Sequence, residues 1–161
     1  VYIMIYENAG LLRKSMLLRL LGLTLVLSIA FIEPSQAQCI SFARNVVKPL
    51  LDPYIHDGNY NATYMEEGES AELYKTFFKG ESYRLVVKGV DDLPQVHIRL
   101  LDDQRNIIFD NANHNFVNVW NFAAENTGTM IVHISIPEKE GGGKIVGGCV
   151  AILFGVENKR R

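Results

Sequence analysis

The chain has 161 residues, 48% hydrophobic and 21% charged, with 16 Lys and Arg against 18 Asp and Glu for a formal net charge of −2. That length suits one domain rather than a two-domain enzyme, and the near-balanced charge argues against an electrostatic grip on nucleic acid or on an anionic membrane surface. With 13 Gly and 5 Pro, the collagen-like and disordered classes drop out as well.

The N-terminal segment reads as an export signal. Arg13, Lys14 and Arg19 precede Leu20–Ile32, a run free of charge, and then come Glu33, Pro34 and the small-residue stretch Ser35-Gln36-Ala37. A basic leader, a short apolar run, a helix breaker and small residues at −3 and −1 are what a signal peptidase requires. Cleavage is expected before Gln38, with Met16 as the expected initiator. The apolar run is shorter than the roughly 20 residues that cross a bilayer, so no membrane span is expected after cleavage. A lipid anchor on Cys39 would want a small residue ahead of it, and Gln38 stands there. The expected organisation is a removed segment over 1–37, a helix and irregular segment over 38–58, a β-domain over 59–157 and a frayed tail over 158–161.

Two cysteines, Cys39 and Cys149, lie at opposite ends of the expected mature chain. An exported chain with two cysteines points to one disulfide. Metal binding by this pair is not expected, because no CxxC or nearby CxH spacing accompanies it.

In chain order, Ile40–Leu51 is the one convincing helical stretch. Ser41 is placed to cap it, Phe42, Val46, Val47 and Leu50 recur at helical spacing, and Pro49 and Pro53 limit its length. The chain beyond reads as strands: Tyr60–Met65, Ala71–Phe78 and Tyr83–Val90, the last alternating Tyr83, Leu85 and Val87 with Arg84 and Lys88. Val96, Ile98 and Leu100 alternate with Gln95, His97 and Arg99. A polar loop over Asp102–Asn106 leads into Ile107–Asp110. Val117–Ala124 carries Trp120 and Phe122 on one face, and Asn126-Thr127-Gly128 is a turn signal. Met130–Ile136 again alternates, Pro137–Lys144 is a Gly-rich loop, and the more apolar Ile145–Val156 is the expected central strand. About eight short strands and one short helix specify an all-β chain folded as a single β-sandwich, jelly-roll or Greek-key in type.

The segment Phe77-Phe78-Lys79-Gly80-Glu81-Ser82-Tyr83-Arg84-Leu85 is distinctive, as is the later order Asp102–Ile108, Trp120-Asn121-Phe122 and Asn126–Met130. These turn-and-core patterns, covering roughly residues 68–155, resemble the bacterial pre-peptidase C-terminal type of β-sandwich. With Cys39 and Gly148-Cys149-Val150 they are also similar to small exported Bacteroidetes β-sandwich proteins of unknown function. The resemblance implies a fold and an export route and carries no catalytic residue.

No catalytic or cofactor motif is present. Ser41, Ser70, Ser82 and Ser135 sit in no Gly-x-Ser-x-Gly elbow, and Gly141-Gly142-Gly143-Lys144 lacks the rest of a phosphate loop. Asp102, Asp103, Asn106, Asp110, Asn111, Asn113 and Asn115 are rich in oxygen ligands, but they lack calcium-loop spacing and suit turns instead. His97 and His133 occupy the outward phase of their strands, so neighbouring strands could gather them with Asp102 and Asp103 into a hydrolytic or metal site. Tyr54, Tyr60, Tyr64 and Tyr74 could stack on a sugar or a partner protein, or pack a sandwich edge. The expectation is therefore an exported, non-catalytic binding or accessory module of the bacterial envelope, without a cofactor, its partner a protein or a glycan. An enzyme using His97 and His133, or a structural envelope protein, are the alternatives.

Overall fold

The computed structural model describes residues 36–138 and 143–159. The export segment up to Ser35, and residues 139–142 of the Gly-rich loop, lie outside the described residues.

Among the described residues, nine strands form two antiparallel sheets packed face to face. They are β1 (Ile55–His56), β2 (Asn61–Glu66), β3 (Ser70–Phe77), β4 (Ser82–Gly89), β5 (His97–Leu101), β6 (Ile107–Asp110), β7 (Val119–Ala123), β8 (Gly128–Ser135) and β9 (Gly147–Val156). One sheet runs β1-β9-β4-β7, with β2 also paired to β9; the other runs β3-β8-β5-β6. The expected all-β sandwich is thus observed. Beyond β9, Glu157 N–H donates to Ser82 O, and Lys159 Nζ donates to Gly80 O and Glu81 Oε1.

β9 is the central strand, as its apolar sequence led us to expect, and it is apolar on both faces. Val150, Ile152 and Phe154 point between the sheets into the main core, with Leu85 and Val87 of β4 and Val132 and Ile134 of β8. Ala151 and Leu153 point the other way and need a second cover. That cover is the N-terminal helical segment, α1 (Gln36–Phe42) followed by a π turn (Ala43–Val47) and a 3₁₀ turn (Lys48–Leu51). Ala43, Val47 and Leu51 bury themselves against Val86, Ala151 and Leu153.

The inward stripe of this segment differs from the one expected. Cys39, Ala43, Val47 and Leu51 are buried, whereas Val46 is 45% and Leu50 40% exposed. A four-residue spacing drifts around an ordinary α-helix by about 40° per step, and the wider π turn offsets that drift. Ser41 is not the cap: the helix is already formed at Gln36, and Ser41 Oγ instead accepts a hydrogen bond from Asn45 Nδ2 at 3.1 Å. The stripe starts at Cys39 because Cys39 is bonded to Cys149, with Cα atoms 5.0 Å apart at a sequence separation of 110. At Gly155, also on the outer face of β9, an added Cβ would come within 2.6 Å of Tyr54 Cβ, so only glycine permits the chain after the helix to lie this close.

The bridge closes a long loop, for which chain entropy assigns about 4–5 kcal/mol. Against a typical total of about 5–15 kcal/mol, that is a large share. We expect Cys39→Ser/Cys149→Ser to lower the urea midpoint by a comparable free energy while far-ultraviolet dichroism keeps its β signature. An unchanged midpoint would show that the helical cover holds without the bond.

Candidate functional site

The outer face of the β3-β8-β5-β6 sheet carries a polar row. In register across the four strands stand Glu72, His133, Arg99 and Asp110. His97 sits one step along, opposite Ser135. Both carboxylates are already committed. Glu72 accepts a bidentate pair from Arg105 at 2.9 Å each and a third bond from Tyr74 O–H at 2.9 Å. Asp110 Oδ1 lies 2.8 Å from His97 Nε2 and accepts the Ala112 N–H at 2.9 Å. Arg99 is left without an ion pair among the described residues, and its Nε and the Nδ1 of its cross-strand neighbour His133 are buried without a hydrogen bond.

These contacts set the protonation states. Hydrogen bonds from Arg105 and Tyr74 hold the Glu72 carboxyl below its ordinary range. Burial alone would raise Asp110, but the bonds from His97 and Ala112 N–H, with the His97 and Arg99 charges, carry it below its usual value. Burial, then the Arg99 charge, pushes the His133 imidazole down; Glu72 opposes this, while His97 and Arg105 add to it.

The four residues singled out from the sequence do not form one group. His97 and His133 share a sheet face on adjacent strands, one register step apart. Asp102 and Asp103 follow the far end of β5, roughly 16 Å of extended chain from His97, and the carboxylate that meets His97 is Asp110. Asp102 organises its turn, accepting the backbone N–H groups of Gln104 (2.9 Å) and Asn106 (2.7 Å) and the Asn106 side chain (2.8 Å). Asn111 is buried; its side chain accepts Ile98 N–H at 2.8 Å and donates to Val96 O and Val117 O, tying the loop after β6 to β5. Among the described residues no three His, Cys, Asp or Glu side chains converge to hold a metal ion. Of the four tyrosines, Tyr54 lies under Arg84 (4.6 Å), Tyr60 under Arg44 (5.2 Å) and Tyr64 over Gly147, while Tyr74 stands 59% exposed.

A feature the sequence did not single out lies where the sandwich edges β6 and β7 meet. There a cleft of about 590 Å³ opens between the β5–β6 and β7–β8 turns. Its apolar lining comes from Ile108, Trp120, Phe122 and Met130, and its rim carries Asp102, Asp103 and Glu125. The aromatic floor is fixed by stacking. Phe109 lies 4.4 Å from the Trp120 ring, tilted by 14°, and Phe122 lies 4.5 Å from it at 16°. Phe122 in turn packs edge-on to Phe77. Phe109 and Phe122 thus both stack on the indole, one from each sheet. Ile107 (58%), Ile108 (47%) and Val119 (36%) add exposed apolar surface along the same two edge strands.

The depressed His133 has a measurable consequence. An unfolded histidine takes up its proton near pH 6.5, and the folded chain resists that uptake at His133. The unfolded state therefore binds more protons as pH falls through this range, so stability drops there and is unaffected above it. We expect side-chain NMR to place the His133 titration below the ordinary histidine range and Arg99→Gln to move it back upward. The loss of stability between pH 7 and 5 should shrink in His133→Gln. A titration at or above the ordinary value would contradict this account.

No protein-family model matches the chain, and no curated protein matches it. Among solved structures it is similar to PliG from Aeromonas hydrophila, a periplasmic inhibitor of g-type lysozyme, with a TM-score of 0.47 and 6% identity over 65% of this chain and 89% of that one. At that identity no residue of the one protein transfers to the other.

Proposed function

We propose that the chain is an exported binding module of the bacterial envelope that docks a partner protein in the β6/β7 cleft and performs no chemistry of its own. The observation that carries this reading is the cleft, with a rigid aromatic floor and exposed apolar shoulders on two edge strands. Exposed contiguous apolar surface framed by polar groups is the usual mark of a docking site. The Cys39–Cys149 bond supports export, since such bonds persist in oxidising compartments. So does the resemblance to small exported Bacteroidetes sandwiches. Of the two partner classes, a protein fits better than a glycan. A sugar ring stacks on an open aromatic face, and the Trp120 ring already stacks with Phe109 and Phe122.

A second reading, a hydrolase, is favoured by the 2.8 Å contact between His97 and Asp110, which orients an imidazole as a general base requires. Ser135 stands opposite His97 in register, but no hydrogen bond joins the two side chains. Turnover by the purified protein, abolished by His97→Ala or His133→Ala, would establish this reading over the first.

The docking reading is tested by capture from native envelope extract. Ile108→Glu places a charge on the apolar lining at an exposed position, so the melting temperature should move by no more than about 4 °C. We expect partner capture to be lost in this variant and kept in Ile145→Glu, a control at a 63% exposed position outside the cleft. Capture that survives Ile108→Glu would exclude the cleft.

A further inference from the structure

Resting on that reading, we infer that the β6/β7 cleft accepts a lysine or arginine side chain presented beside apolar residues on a loop of a basic partner protein. The cleft makes the site; its rim selects the occupant. Asp102, Asp103 and Glu125 bring three carboxylates to the rim, and no Lys or Arg lines the cleft. The nearest cation in sequence, Arg105 of the β5–β6 turn, is drawn away to Glu72 on the outer face of the sheet by a bidentate pair. Lys79, in the β3–β4 turn, meets the β7–β8 turn through its backbone N–H, which donates to Thr127 Oγ1 at 3.0 Å, and is not among the residues lining the cleft.

The three carboxylates differ in what they have left to give. Asp102 is occupied by its own turn, with bonds from Asn106 and Gln104 holding it below the ordinary range. Asp103 and Glu125 are exposed, their side chains make no hydrogen bond or ion pair among the described residues, and they approach the cleft from the two different turns. An incoming cation would therefore be held between two hairpins. Its alkyl stem would lie on the edge of Trp120 and on Met130 and Ile108, the arrangement long basic side chains adopt when they bury the stem and keep the head in a polar rim. An anionic or purely apolar loop would leave these carboxylates repelled or desolvated without compensation, which is a cost against the wrong partner.

Trp120 is the only tryptophan of the chain, so its emission reports on the cleft directly. The test titrates the full chain with a blocked pentapeptide alternating leucine and arginine, and with the same peptide carrying glutamate for arginine. The expected result is a saturable change in Trp120 emission with the arginine peptide alone. Binding should weaken about tenfold in Asp103→Asn/Glu125→Gln and weaken again at 1 M salt, where screening reaches about 3 Å. Both substitutions are near-isosteric and exposed, so the fold should be retained. Equal binding of the two peptides, or indifference to Asp103→Asn/Glu125→Gln, would overturn the cationic occupant. Binding of neither peptide would also overturn it, and envelope capture by Ile108→Glu then decides separately whether the cleft itself stands.

Discussion

A strand that is apolar on both faces cannot stand at a solvent boundary, and β9 is such a strand. Between the sheets, Val150, Ile152 and Phe154 complete the main core; on the other side Ala151 and Leu153 demand a second layer. The helical segment supplies it, and the Cys39–Cys149 bond holds that segment in place. Small residues make the approach possible. Ala43 on the helical side and Ala151 and Gly155 on the strand let backbones come close enough to exclude water. Burial of this kind is worth about 25 cal/mol per Å² of apolar surface, but it is gained only if the segment stays docked. The bond acts on the unfolded chain, and so makes undocking improbable without adding contact area.

The division of labour between the two sheets follows. One has its outer face spent on the helical layer, with Tyr54 and Tyr60 beside it held under Arg84 and Arg44, so it serves as scaffold. The other has an outer face that needs no cover because it is polar in phase, with Glu72, His133, Arg99 and Asp110 in one row. Its charges neutralise one another locally, except at Arg99, where both neighbouring carboxylates already have better geometric partners. Arg105 forks onto Glu72, and His97 reaches Asp110. This leaves a row that is largely self-satisfied, while at the end of the sandwich Asp103 and Glu125 border the aromatic cleft and no Lys or Arg lines it.

That floor depends on tertiary stacking. Phe109 from one sheet, Trp120 and Phe122 from the edge of the other, and Phe77 below form a continuous aromatic file across the seam. Aromatic pairs add about 0.5–1.5 kcal/mol beyond their area, so the file stiffens two edge strands, β6 and β7, that have only one neighbour each. Asn111 reinforces the other end of the same seam by satisfying three backbone groups from a buried position. Two edge strands that bound the cleft are thereby braced against each other.

Period-two alternation placed β2 to β9 within one or two residues of their observed limits, because an inward side chain must be apolar wherever a sheet covers a core; it missed β1, whose two residues fall in the segment expected to be irregular and are too few to show a period. It also put His97 and His133 on the outward phase of their strands, and the two-cysteine count pointed to the bond that forms. The helix was legible, but not its buried stripe. Val46 and Leu50 look inward by periodicity, yet the position of Cys39 and the π turn rotate them to solvent. Strand order was beyond the sequence's reach. Alternation tells which face a residue takes and is silent on which strand lies beside it. Only the paired sheets made Asp110, rather than Asp102, the partner of His97, and aligned Glu72 with Arg99. Only the packing of β6 against β7 gathered Ile108, Trp120, Met130, Asp103 and Glu125, scattered over 28 positions of the chain, into one cleft, because proximity across a sandwich is set by which edges meet and not by distance along the backbone.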